Sequence, residues 1–97
     1  MNPTYNLQNI KDQFSSVSVL NMTLSARQGA SELGMDDQDV VNAIKSLTSN
    51  DFHKTMPSEK KPLAAHFDVY KFVWEGNKIY AKFQDLNGLL VVSFKEK

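Results

Sequence analysis

Ninety-seven residues, 41% of them hydrophobic, are enough for one compact domain spanning 1–97 and too few for two. With no cysteine and two histidines the chain lacks disulfides, thiol nucleophiles and a good transition-metal cage, so no metal and no cofactor are expected. Formal net charge is zero but uneven: residues 1–44 hold two basic side chains against five acidic ones, residues 45–97 nine lysines against six acids, so a polyanion would be met by the second half.

The polar start, Asn2-Pro3-Thr4-Tyr5-Asn6, lacks a signal-peptide pattern, and no apolar run approaches the roughly 20 residues that cross a bilayer. The expectation is a cytoplasmic protein with no membrane partner. Leu7, Ile10 and Phe14 then fall at i, i+3 and i+7, which predicts a short amphipathic helix over 3–14 with Pro3 in its first turn. Ser16 to Leu20 alternates briefly and reads as a short edge strand. Ser25 with Gln28 resembles a capping box for a second helix whose stripe is Ala26, Ala30 and Leu33, and Gly34 suits a left-handed helix end. A third helix follows, capped by Asp36 or Asp37, with Val40, Ile44 and Leu47 on its buried side.

Two helices joined through a glycine invite a helix-turn-helix reading. The end that would meet base edges carries Asp36, Asp37 and Asp39, which DNA repels, so a packing corner is preferred.

From Asp51 the character changes to strands and turns. Asp51 to Met56 predicts a short strand with Phe52, Lys54 and Met56 on one face and His53 and Thr55 on the other. Pro57 to Pro62 reads as a loop, and Ala65 to Trp74 as a strand with Tyr70, Phe72 and Trp74 in the core. Glu75-Gly76-Asn77 turns the chain into Ile79-Tyr80-Ala81-Lys82-Phe83, and Asp85-Leu86-Asn87-Gly88 turns it again into Leu89 to Lys97. That last apolar run suggests a strand buried on both faces at the centre of the sheet, anchored by Leu90, Val92 and Phe94 and ending in Lys95. The fold class is α+β: three short N-terminal helices packed on a C-terminal antiparallel meander of three or four strands.

The catalytic inventory is thin. There is no Gly-rich phosphate loop, no Ser-His-Asp set in a recognisable context and no distinctive carboxylate pair. Lys54, Tyr80, Lys82 and Lys95 remain, on or at the ends of strands that a sheet can bring onto one surface. Such a set suits RNA cleavage by 2′-OH attack on the adjacent phosphate, which needs a base, an acid and positive charge but no metal.

The segments Asp51-Phe52-His53-Lys54-Thr55-Met56, Phe67-Asp68-Val69-Tyr70, Ile79-Tyr80-Ala81-Lys82 and Val92-Ser93-Phe94-Lys95-Glu96-Lys97, with Ser31-Glu32-Leu33-Gly34-Met35 before them, resemble the MqsR (motility quorum-sensing regulator) toxins of bacterial toxin–antitoxin pairs. The resemblance implies a RelE-like small-ribonuclease fold, a metal-independent endoribonuclease acting on mRNA, and a cognate MqsA-type antitoxin through which the toxin associates indirectly with DNA. By motif position it implies Lys54, Tyr80 and Lys95 as catalytic residues, with Tyr80 or a lysine of lowered pKa transferring protons and the other lysines neutralising phosphate oxygens. His53, Met56, His66 and Lys82 are the candidate substrate contacts. The chain departs from the family pattern at Phe67, where a glutamine is expected, at His53 in place of a tyrosine, at Asn87 in place of a histidine, and in its neutral net charge.

Taken one at a time these residues also have blander readings. A lysine is usually a solvated surface charge, Tyr80 a packing residue with its hydroxyl in water, Met56 a core or rim residue, and a histidine a half-buried group bonded to backbone. An interaction module that uses the sheet edge for a protein or nucleic-acid partner is the alternative function.

Overall fold

Polar caps decide where the helices begin. The computed structural model describes residues 3–57, 66–85 and 88–96. Helix α1 (Leu7–Gln13) starts where the Asn6 side chain accepts from the Asn9 amide at 3.1 Å, and it buries Ile10 and, just past its end, Phe14. It is shorter than the expected 3–14 and leaves Pro3 outside. Helix α2 (Leu24–Glu32) is capped by Thr23, whose hydroxyl accepts from the Ala26 amide at 3.1 Å, and not by the Ser25–Gln28 pair. Its end fits the expectation: Gly34 has φ 72°, with Gly34 N donating to Ser31 O and Met35 N to Ala30 O. Helix α3 (Asp37–Lys45) opens on a full capping box, Asp36 with Asp39, and buries Val40, Val41, Ala43 and Ile44.

Four strands follow, β1 (Phe52–Met56), β2 (Phe67–Trp74), β3 (Asn77–Asp85) and β4 (Leu89–Glu96), paired antiparallel in the order β1-β2-β3-β4. The β2–β3 turn is a two-residue connection, Glu75 (φ 48°) and Gly76 (φ 84°), whose left-handed pair matches strand twist. Between β3 and β4 the Gly88 amide donates to the Asp85 carboxylate at 2.9 Å; Leu86 and Asn87 lie outside the described residues, as do Ser58 to Ala65, which take in the predicted loop after Pro57 and Ala65, the expected first residue of the next strand.

The helices cover one face of the sheet. Ile10 and Phe14, Ala26 and Ala30, Val40, Val41, Ala43, Ile44 and Leu47 meet Tyr70, Phe72, Ile79, Ala81, Phe83, Val91 and Phe94 in one core. Phe14 stacks on Phe83 at 6.1 Å, and Tyr70 meets Phe83 edge-on at 5.7 Å. This is the expected α+β arrangement of N-terminal helices on a four-stranded antiparallel sheet, consistent with a RelE-like fold. Among the described residues no helix is long and apolar enough to cross a membrane.

Two expectations fail at β4. It is an edge strand, not a central one, and its core residues are Val91 and Phe94, with Leu90 and Val92 only half-buried. A register shift between Lys82 and Phe83, opposite Ser93 and Val91, leaves Val92 as the extra residue and so changes which side chains face inward. The apolar run is used instead to hold cover over that edge: Val91 N donates to Asn21 O, Thr23 N to Val91 O, and the Thr23 hydroxyl to Val92 O at 2.7 Å. Because residues 21–23 take that place, the predicted strand at 16–20 has no partner and forms a 3₁₀ turn, Val17–Val19.

Candidate functional site

The sheet face turned away from the helices carries the site. Alternation along the strands puts Lys54, Lys71, Lys78, Lys82 and Lys95 on this open face, while the strand acids Asp68, Asp85 and Glu96 alternate to the other. Zero net charge therefore conceals a face whose charged strand residues are all lysine. Cross-strand register arranges them in rows, one running Lys54, Val69, Lys82, Ser93 and the next Lys71, Tyr80, Lys95. Neighbouring strands are roughly 5 Å apart, so Tyr80 and Lys95 are immediate neighbours and Lys54 stands about two strands from Lys82.

Between these rows lies a cleft of about 220 Å³, lined by His53, Lys54, Met56, Val69, Tyr80, Lys82 and Lys95. Six of the seven candidate residues are thus brought together around buried Val69. His66 is not among them. It precedes β2, its carbonyl accepts from the Tyr5 hydroxyl at 2.7 Å, and its buried Nδ1 finds no hydrogen-bond partner among the described residues.

His53 reaches the cleft by a route that simple alternation does not foresee. A bulge between Phe52 and Lys54 breaks the β1 register, so Phe52 turns to the core, edge-on to Tyr70 at 5.6 Å, while His53 and Lys54 line the same cleft. The His53 ring lies 6.4 Å from that of Tyr80. The β1 wall is tied down from behind. Asp68, fully buried, accepts from the Thr55 hydroxyl at 2.8 Å and from the Thr4 and Tyr5 amides at 2.9 and 2.7 Å, joining β1, β2 and the N-terminal segment.

Two residues of this face escape the sequence reading. Lys71 sets its Nζ 5.1 Å over the Tyr80 ring, a cation–π contact that only the strand register discloses. Gln84 is buried on the open-face side of β3, a polar side chain where the alternation of Lys78, Tyr80 and Lys82 is the available signal. Among the described residues no group of three His, Asp or Glu side chains is arranged to hold a metal. The cleft instead offers a phenol and an imidazole for proton exchange, several ammonium groups for an anion, and apolar Met56 and Val69 beside them.

A family model described as "Motility quorum-sensing regulator, toxin of MqsA" matches residues 2–96. Over 75 residues the chain is 36% identical to the "mRNA interferase toxin MqsR" of Escherichia coli (strain K12), covering 77% of this chain and 76% of that relative.

Proposed function

The chain belongs to the motility quorum-sensing regulator (MqsR) toxin family, and from that premise we propose that it is an endoribonuclease that cuts single-stranded mRNA without a metal and so inhibits translation and growth. What supports this is the meeting of Lys54, Tyr80 and Lys95 in one cleft on an otherwise lysine-rich sheet face. In the reaction the RNA 2′-oxygen bonds to the adjacent phosphorus as the bond to the 5′-oxygen breaks. One proton leaves the 2′-hydroxyl, one is given to the departing 5′-oxygen, and a cyclic phosphate remains. Tyr80 serves as a proton-transfer group, while Lys54 and Lys95 neutralise the phosphorane oxygens and Lys82 holds the strand. His53 and Met56 contact the flanking nucleotides, and Phe67 in place of a glutamine shifts substrate preference.

A defined single-stranded RNA incubated with the protein in EDTA is expected to be cut, and its 2′-deoxy counterpart to stay whole. Lys54→Ala, Tyr80→Phe and Lys95→Ala should each slow cleavage by at least about tenfold. Intact RNA with the wild-type protein, or full activity in all three variants, would refute the assignment. The partner is an MqsA-type antitoxin in the same cytoplasm: expression of the toxin alone should arrest growth, and co-expression of the neighbouring antitoxin should restore it.

A further inference from the structure

The lysine face continues past the cleft. Towards the β2–β3 turn a second cleft, of about 190 Å³, is lined by Lys71, Phe72, Val73, Lys78 and Ile79. Two cross-strand pairs build it, Phe72 opposite Ile79 and Val73 opposite Lys78, with Lys71 beside them opposite Tyr80 of the first cleft. Lys71 joins the two clefts, because it lines the second while its ammonium stands over the Tyr80 ring of the first. Val73 is 64% exposed, an apolar side chain on the lysine face, opposite Lys78 and two residues from Lys71, with no part in the core.

Cations flanking an apolar spot match a sugar–phosphate backbone with its base. Building on the ribonuclease assignment, we propose that this second cleft is a subsite for the single-stranded RNA beyond the cut bond, with Lys78 and Lys71 holding a backbone phosphate and Val73 supporting the adjoining sugar or base. Lys78 and Tyr80 lie on one face two residues apart, roughly 7 Å along the strand, which is the scale of one step of a stretched polynucleotide. A strand seated at Tyr80 therefore reaches Lys78 with a neighbouring phosphate. The strand acids, Asp68, Asp85 and Glu96, are on the other face, and exposed Glu75 in the turn marks where the track ends.

The test separates the subsite from catalysis by using length. Cleavage is followed with RNA, and equilibrium binding with uncut 2′-deoxy-substituted strands, for a trinucleotide and for a strand of roughly ten nucleotides. The longer strand should bind wild type about tenfold more tightly. Lys78→Glu should remove most of that advantage, raise KM on the longer RNA roughly fivefold with kcat nearly unchanged, leave the trinucleotide alone, and reduce the salt slope of long-strand binding by about 0.7. Lys78→Gln should give a smaller effect of the same kind, and Lys45→Glu, an equal charge change on α3 behind the sheet, should give none. A length advantage that survives Lys78→Glu, or equal weakening by Lys78→Glu and Lys45→Glu, overturns the subsite. If wild type cuts neither RNA but keeps the length advantage that Lys78→Glu removes, the ribonuclease assignment fails and the subsite stands.

Discussion

The Tyr70 hydroxyl is buried and finds no hydrogen-bond partner among the described residues, whereas buried Asp68, two residues before it, accepts hydrogen bonds from Thr4, Tyr5 and Thr55. Burial first, then the charges of Asp68 and Asp51, pushes the Tyr70 pKa up from 10.0 to about 12. The sign follows directly. Between those two values the unfolded chain has lost the tyrosine proton and the folded chain keeps it, so stability falls as pH rises, by about 1.4 kcal/mol per unit. Tyr5, raised mainly by burial as well, adds to the same alkaline loss. Tyr70→Phe keeps the ring contacts with Phe52 and Phe83 and discards the unsatisfied oxygen. It is expected to be neutral or up to about 1 kcal/mol stabilising at pH 7, and to flatten the decline above pH 10 in urea unfolding measured across pH. A loss of more than about 1 kcal/mol at pH 7 would mean that the hydroxyl is bonded after all.

At the scale of elements the contact that matters for the site is between α2 and β4. Gly29 is buried in α2, and a Cβ built on it falls on the Phe94 carbonyl oxygen and lies 3.2 Å from Lys95 Cβ. Helix and strand therefore touch backbone to backbone just where β4 presents Lys95 across from Tyr80. Gly29→Ala would gain helix propensity but must push the two elements apart, and overpacking of this kind costs about 1–3 kcal/mol. The expected result is a lower Tm together with a fall in kcat larger than the change in KM, while Ser31→Ala on the exposed side of α2 changes neither. Undiminished kcat in a destabilised Gly29→Ala would show that Lys95 does not depend on this contact. No sequence pattern announced it, because a glycine inside a helix looks the same whether it weakens the helix or admits a neighbour. What was legible had local chemistry behind it: the Asp36 cap, the left-handed Gly34, the Glu75–Gly76 turn, and the alternation that put Tyr80 and Lys82 on one face. What was not legible came from pairing. The bulges at His53 and Val92 depend on a partner strand, and so does the displacement of strand 16–20 by the bridge at Met22.

Over the whole molecule, the sheet separates two opposed requirements, an apolar core on one face and a concentration of like charge on the other. Without ligand that charge is a cost. Two ammonium groups about 7 Å apart would repel by about 0.6 kcal/mol in water, and Lys54, Lys71, Lys78, Lys82 and Lys95 share this face. Raising salt from about 50 to 200 mM screens them and should stabilise the free protein by roughly 0.5 kcal/mol, a Tm rise of about 2–4 °C. A bound uncut strand reverses the dependence. At a hundred times its Kd it stabilises the fold by about 2.7 kcal/mol, but with roughly four phosphates neutralised the same salt increase weakens binding about fiftyfold. Thermal melts should therefore cross, rising with salt for the free protein and falling with salt for the complex, and Lys82→Gln should flatten both slopes. A free protein whose Tm drops with added salt would show that the lysine face is already neutralised within the fold, and that a polyanion gains nothing by meeting it.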